Sequence, residues 1–119
     1  MDGYVTLDTR DLGRAVKFYD RLARELGARR SMEDAECVAW GIPGGPASIS
    51  IVANGHSPGP LAAVALEAAD REQVQRLFDL AIEQGGAPEA EPCERGGFYA
   101  ASFRDLDGNR LSAFCITRH

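Results

Sequence analysis

The stretch YVTLDTRDLGRAVKFYDRLARELGA, residues 4–28, recurs in altered form about half a chain length later as AVALEAADREQVQRLFDLAIEQGGA, residues 63–87. When the two stretches are aligned without gaps, most apolar residues fall on apolar residues, Asp11 falls on Asp70, and Gly27 falls on Gly86. A repeat that keeps these positions in register indicates two copies of one supersecondary unit.

Both copies begin with the same local signals. Alternating apolar and polar residues at 5–9 and 64–68 predict a half-buried strand, because successive side chains of a strand point to opposite faces. Asp11 and Asp70 are typical N-cap residues, and apolar residues at helical spacing follow each of them. Gln73 completes a capping-box spacing after Asp70. Each copy is therefore predicted to contain a strand followed by a capped helix, which a glycine ends.

Further strand patterns follow each helix. They are ECVAWGI and ASISIV in the first copy, GFYAASFR and RLSAFCI in the second, and the weaker runs ARRSM and APEAEPC directly after the helices. The sequence thus predicts an α+β fold with mixed sheets, built from two β-α-β-β-β repeats. We expect one domain over residues 1–119, with repeats at about 1–54 and 61–119 and a proline- and glycine-rich linker at about 54–60.

The turn DLDGN, residues 105–109, is expected to join the last two strands. A calcium loop of the EF-hand type would have to begin at Phe103, which is not a ligand. Asp107 is expected to bond backbone donors, and Gly108 is expected to adopt a positive φ. The turn is therefore predicted to be structural.

Charge and cysteine content exclude several classes of partner. Acidic and basic residues are interspersed and the formal net charge is −5, so nucleic acid is not an expected partner. Cys37, Cys93 and Cys115 show no paired spacing, which indicates free thiols in a reducing compartment. The N-terminus contains no long apolar run, so we expect neither a signal peptide nor a membrane partner. These features predict a cytoplasmic protein.

Two motifs carry a family resemblance. They are D-L-x-x-A-x-x-F-Y at 11–19 and F-x-D-x-D-G-N-x-L at 103–111. In its doubled β-α-β-β-β setting the chain resembles the vicinal oxygen chelate superfamily, also called the glyoxalase, bleomycin resistance protein and extradiol dioxygenase superfamily. The resemblance covers essentially the whole chain. It implies curled mixed sheets around a cleft, and a homodimer as the usual assembly.

In catalytic members of that superfamily, His and Glu side chains from the first and last strands of each half bind a divalent metal. By the resemblance, these positions fall on Tyr4 and Ser50 in the first repeat, with Ser48 as the alternative to Ser50, and on Ala63 and Ser112 in the second. Hydroxyls and a methyl group do not replace such ligands. The resemblance therefore leads us to expect a chain without a metal site.

The histidine content leads to the same expectation. The chain has two histidines, His56 in the linker and His119 at the end of the sequence, and neither lies on a predicted cleft wall. A site made of two histidines and one carboxylate is therefore not expected. We predict that no metal or other cofactor is held.

We expect the cleft to bind a small, partly apolar molecule instead. The residues expected to contact this ligand are Tyr4, Thr6, Trp40, Ser50, Ala63, Tyr99, Ser112 and Phe114. The competing interpretation is that Tyr4, Trp40 and Phe114 only fill the space that the metal would occupy.

Three functions stay open at this point. The favoured one is a metal-independent protein that binds a small molecule. The second is a metal-dependent enzyme with an unusual ligand set, either a glyoxalase-type lyase or isomerase or a dioxygenase. The third is a non-catalytic dimer that keeps only the fold. No Ser-His or Cys-His pair stands at a suggestive spacing, so no catalytic residue is predicted.

Overall fold

The computed structural model describes residues 3–41, 47–53 and 63–117. The chain divides into two compact units, one within residues 1–61 and the other within 62–119. In its described part, each unit has one helix and one four-stranded mixed sheet. The predicted α+β fold with two β-α-β-β-β repeats is therefore confirmed. Neither helix within the described ranges is long and apolar enough to cross a membrane.

The elements of the first unit are β1 (Gly3–Thr9), α1 (Leu12–Leu26), β2 (Arg29–Glu33), β3 (Cys37–Gly41) and β4 (Ala47–Ala53). The strand order is β1-β4-β3-β2, with β1 parallel to β4 and the other neighbours antiparallel. Helix α1 begins after Asp11, whose carboxylate accepts a hydrogen bond from the backbone N–H of Arg14 at 3.2 Å. It ends at Gly27, whose φ of 75° is the left-handed conformation that glycine adopts without steric cost.

The elements of the second unit are β5 (Ala63–Glu67), α2 (Arg71–Glu83), β6 (Ala87–Arg95), β7 (Phe98–Arg104) and β8 (Arg110–Ile116). The order β5-β8-β7-β6 repeats that of the first sheet. The first and last strands of the unit, β5 and β8, are again parallel neighbours. The carboxylate of Asp70 accepts from the backbone N–H of Gln73 at 2.8 Å. The Gln73 side chain reaches back, as a capping-box spacing predicts, and accepts from the backbone N–H of Ala69 at 2.8 Å.

Each helix packs its apolar stripe against one face of its own sheet. The fully buried side chains include Leu7, Phe18, Leu22 and Ile51 in the first unit, and Val74, Leu77, Phe103 and Leu111 in the second. Phe78 of α2 meets Phe103 of β7 edge to face, with ring centroids 6.4 Å apart. Because alternate strand positions fill the space under each helix, the intervening positions point to the other face of the sheet.

The hairpin turn between β7 and β8 is structural, as predicted, but the carboxylate that organises it is that of Asp105. One Asp105 oxygen accepts from the backbone N–H groups of Asp107 and Asn109, at 2.9 and 2.8 Å. The other accepts from the side-chain amide of Asn109 at 2.9 Å. The sequence had assigned the bonding of backbone donors to Asp107. Gly108 has a φ of 85°, as expected for this turn.

Candidate functional site

Strand register divides each sheet into a face that packs against its helix and a face that points away from it, which we term the distal face. In the second sheet, Ser112 pairs with Ala65 on β5 and with Ser102 on β7, so these three residues share one face. Leu111, the preceding residue of β8, is fully buried on the helix side. The distal face of the second sheet therefore carries Ser112 and the strand positions at even spacing from it.

One end of this distal face is apolar and aromatic. The rings of Phe98 and Phe114 meet edge to face with centroids 6.2 Å apart. Phe98 is 47% exposed, and Ile116, its register partner on β8, is 54% exposed. Exposed aromatic surface on a sheet face is the kind of surface that an apolar ligand group covers. Phe114 was predicted from the sequence, whereas Phe98 was not.

The middle of the face carries two hydroxyl groups. Ser112 and Ser102 are register partners on neighbouring antiparallel strands, and both are half-buried. Ala65, on the other side of Ser112, is exposed and presents only a methyl group. Ser112 thus lies on the distal face as expected, beside a second hydroxyl that can donate or accept hydrogen bonds.

The other end of the face is charged. Arg104 and Arg110 are register partners, and both contact Glu89 of β6. An Nη2 of Arg104 lies 2.8 Å from one oxygen of Glu89, and Nε of Arg110 lies 2.8 Å from the other. Arg104 also donates to the backbone carbonyl of Gly108 at 3.0 Å. Two guanidinium groups and the carboxylate of Glu89 thus lie together at this end of the face.

The distal face of the first sheet is different. Ser50 pairs with Thr6 on β1 and with Ala39 on β3, so the register puts these residues on one face. Thr6 is exposed, but Ser50 is only 6% exposed and Ala39 is fully buried. The Ser50 hydroxyl lies 3.2 Å from Sγ of Cys37, which is free, as Cys93 and Cys115 also are. The predicted Ser50 position is therefore packed rather than accessible.

Trp40 lies on the helix side of the first sheet, away from Thr6 and Ser50. Its indole N–H donates to Asp20 of α1 at 2.7 Å, and its ring lies 5.7 Å from that of Tyr19 between centroids. Trp40 is 4% exposed. Trp40 and Ser50 were both expected to contact the ligand. The alternation of β3 instead turns the Trp40 side chain under the helix, on the face opposite to Ser50.

Asp20 is the acceptor that joins three elements. Arg30 of β2 donates to both of its carboxylate oxygens, at 3.2 and 2.6 Å, in addition to the bond from Trp40. These hydrogen bonds, above all that from Arg30, hold the pKa of Asp20 below its ordinary value against the opposing effect of partial burial. The same contact raises the pKa of Arg30.

An open depression of about 500 Å³ lies beside this network, at the C-terminal end of α1. Asp20, Arg24, Arg29, Arg30 and Trp40 contribute to its lining. Trp40 borders this depression and not the distal face. Among the residues whose side chains the structure describes, no other predicted ligand contact lies in its lining.

Tyr99 also lies on the helix side of its sheet. It pairs with Cys115, which is buried under α2, and the guanidinium carbon of Arg71 lies 5.8 Å from the centroid of its ring. Arg71 forms an ion pair with Glu94 at 2.6 Å. The structure thus separates Tyr99 from Ser112 and brings its neighbour Phe98 to the distal face instead.

Two predicted ligand contacts can be located only by their backbone. Tyr4 pairs with Ser48 in β1, and Ala63 pairs with Arg110 in β5. Their side chains lie outside the described residues, as do His56 and His119. The residues that the structure brings together are therefore Ser112 and Phe114 in the second unit, and Thr6 and Ser50 in the first.

The sequence profile of the glyoxalase/bleomycin resistance protein/dioxygenase superfamily matches residues 3–112. The chain belongs to this superfamily. Among curated proteins, none matches the chain.

Several solved structures share this fold over nearly the whole chain. A glyoxalase/bleomycin resistance protein from Albidiferax ferrireducens T118 is 27% identical, with a TM-score of 0.83 over 95% of this chain and 97% of that one. A glyoxalase/bleomycin resistance protein/dioxygenase family enzyme from Burkholderia phytofirmans PsJN is 19% identical, with a TM-score of 0.77 over 95% and 96%. A hypothetical protein from S. aureus is 24% identical, with a TM-score of 0.74 over 94% and 90%. The last two likenesses establish the fold alone.

The donor groups at the positions that the resemblance assigns to the metal ligands do not fit a divalent ion. Ser50 and Ser112 offer neutral hydroxyls, and Ser50 is already in contact with Cys37. Within residues 3–41, 47–53 and 63–117, no three His, Cys, Asp or Glu side chains are arranged to hold a metal ion.

Proposed function

We propose that this member of the superfamily binds a small, partly apolar molecule on the distal face of its second sheet. The observation that carries the proposal is the aromatic pair of Phe98 and Phe114 next to the paired hydroxyls of Ser102 and Ser112. Ligand sites combine apolar area, which supplies affinity, with a few polar groups, which fix orientation. This face offers both, since the rings and the hydroxyls lie within five residues of each other on β7 and within three on β8.

The exposed ring surface is large enough to matter for affinity. Covering about 100 Å² of apolar surface on Phe98 and its neighbours contributes about 2.5 kcal/mol, or roughly 70-fold in Kd. Hydrogen bonds from Ser102 and Ser112 add selectivity more than affinity, because each replaces a bond to water. We therefore expect micromolar to millimolar binding of simple probe compounds.

We also propose that this binding needs no metal ion. The support is the chemistry of the residues at the expected metal-ligand positions, which supply hydroxyl groups and a methyl group where a divalent ion requires carboxylate or imidazole donors. The metal-dependent lyase, isomerase or dioxygenase is the alternative. Saturable stabilisation by one zinc, nickel, manganese or iron ion per chain would favour that alternative.

A thermal-shift screen of the purified full-length protein, with a library of small aromatic and aliphatic compounds, tests the binding proposal. A ligand that binds the native state raises the unfolding midpoint in proportion to ln(1 + [L]/Kd). We expect hits that contain a ring, with Kd then measured by calorimetry. A complete absence of hits would contradict the proposal and leave the fold without a small-molecule role.

Two neighbouring residues provide a matched pair of variants for any hit. Phe98→Ala removes a ring from the distal face and is expected to raise Kd about tenfold. Tyr99→Ala removes a ring from the helix side and is expected to leave Kd within twofold, at some cost in stability from the lost contact with Arg71. Binding is compared well below both unfolding midpoints. The reverse ranking of the two variants would place the ligand elsewhere.

The superfamily resemblance further leads us to propose a homodimer. Sedimentation equilibrium is expected to give twice the 12.8 kDa chain mass. A single species at 12.8 kDa would contradict this assembly.

A further inference from the structure

The distal face of the second sheet changes character along β8. Phe114 lies at its apolar end, Ser112 in the middle and Arg110 at the charged end. Alternate residues of a strand are separated by about 6.6 Å, so about 13 Å along the strand separates Phe114 from Arg110. A single small molecule can therefore contact all three groups.

The charged end presents two guanidinium groups in a protein whose overall charge is negative. Arg104 and Arg110 share the single carboxylate of Glu89, and the formal net charge of the chain is −5. The side chains of the two arginines remain 39% and 38% exposed, so solvent and solutes reach them. Guanidinium groups present several N–H donors in a plane and bind carboxylates in a paired geometry.

We infer that the ligand is an amphipathic anion, with a flat apolar ring at one end and a carboxylate at the other. This inference rests on the proposed function and names the ligand class of the same face. The ring lies against Phe98 and Phe114, the spacer passes Ser102 and Ser112, and the carboxylate sits at the arginine pair.

A second charge fixes the direction of the ligand. Glu67 of β5 is exposed and is the register partner of Phe114, so it stands beside the apolar end. A carboxylate placed there meets a like charge, whereas at the other end it meets the guanidinium groups of Arg104 and Arg110. The inverted orientation is therefore disfavoured, and a ligand with a terminal ammonium in place of the carboxylate is not expected to bind in the same way.

A series of phenyl-substituted acids tests the ligand class directly. The probes are benzoate, 4-phenylbutyrate, 5-phenylpentanoate and 6-phenylhexanoate, each compared with its neutral primary amide by calorimetry at low ionic strength. Since ring and guanidinium sites are separated by more than the length of benzoate, the longer acids are expected to bind most tightly. Each of them is expected to bind about three- to tenfold more tightly than its amide, a difference that falls as salt is added.

Three charge variants test whether the arginines recognise the carboxylate of the ligand or only form a structural ion pair with Glu89. Arg110→Gln is expected to abolish the preference for acid over amide. Glu89→Gln removes the competing carboxylate and is expected to strengthen acid binding about threefold or more, with no change for the amide. Arg71→Gln, on the helix side of the same sheet, is the matched control and is expected to leave the preference unchanged.

Equal affinities of acids and amides, or an acid preference that survives Arg110→Gln, would overturn the ligand class. Failure of the whole series to bind would overturn it as well. The compound screen then decides separately about the proposed function: hits that depend on Phe98 but carry no anion would leave that function standing, whereas no hits at all would remove both.

Discussion

The two serines that occupy equivalent positions in the last strands of the two sheets differ in what surrounds them. Ser50 pairs with Thr6 and Ala39, is 6% exposed, and lies against the thiol of Cys37. Ser112 pairs with Ala65 and Ser102 and stays half-exposed. The backbone repeat is thus preserved while the chemistry of the two distal faces has diverged. The second face keeps accessible hydroxyls and rings, and the first has packed its serine.

The two units both pack a buried apolar core under their helix. Substitutions in these cores are expected to have the largest effects on stability. Phe18 of α1 and Leu77 of α2 occupy equivalent positions, and both are fully buried. Phe18→Ala is expected to lower the free energy of unfolding by about 3 to 5 kcal/mol and Leu77→Ala by about 2 to 5 kcal/mol. Urea titration followed by circular dichroism measures both. A loss below about 1 kcal/mol for either would show that its unit is not packed as described.

Asp20 and Asp79 are also equivalent in the repeat, and here the two units are expected to differ. Asp20 accepts from Arg30 and Trp40, whereas exposed Asp79 accepts from Gln75 of the same helix at 3.1 Å. Asp20→Asn is expected to cost about 1 kcal/mol, a value that allows for solvent screening, and Asp79→Asn is expected to cost less than about 0.5 kcal/mol. Equal costs would contradict the network assigned to Asp20.

The pH dependence gives an independent check on the same residue. The pKa of folded Asp20 lies below its ordinary value of 3.8, so the ionised carboxylate stabilises the native state above that pH. This contribution is lost as the pH falls from about 4 through the folded pKa, and Asp20→Asn should lose less stability over that interval. Trp40 is the single tryptophan and donates directly to Asp20, so its fluorescence reports the change.

The serines themselves should give the smallest mutational effects, with a different readout in each unit. Ser112→Ala is expected to weaken a ligand from the screen by about three- to tenfold and to change stability by less than about 0.5 kcal/mol. Ser50→Ala is expected to leave Kd unchanged and to alter stability by less than about 1 kcal/mol, because its packed hydroxyl has only a thiol partner among the contacts described. If Ser50→Ala weakened binding and Ser112→Ala did not, the ligand would bind the first sheet and not the second.

The sequence was sufficient to predict the repeat, the caps and the hairpin, because these depend on local signals. Asp11, Asp70 and Gly27 act through neighbouring backbone groups and need no knowledge of tertiary contacts. The sequence also predicted that Ser112 and Phe114 share one face. Both lie in a strand of alternating apolar and polar residues that begins directly after the turn.

The sheet face on which each aromatic side chain lies was harder to predict, because it depends on the register between strands. The pairing of Arg104 with Arg110 across the turn aligns Tyr99 with Cys115 and Phe98 with Ile116. That register was derivable from the turn, and it puts Phe98 rather than Tyr99 on the face of Ser112. The position of Trp40 was not derivable in this way, because its bond to Asp20 joins α1 to β3 across the packed layer.

The binding of a screened ligand before and after metal removal tests whether the distal face of the second sheet binds its ligand without a metal ion. Calorimetry is performed on the full-length protein in EDTA, and again after dialysis against zinc, nickel or manganese. We expect the same Kd, within twofold, under all conditions, and a Kd about tenfold higher for Phe98→Ala. Loss of binding in EDTA that a stoichiometric metal restores would contradict the account and establish a metal-dependent member of the superfamily.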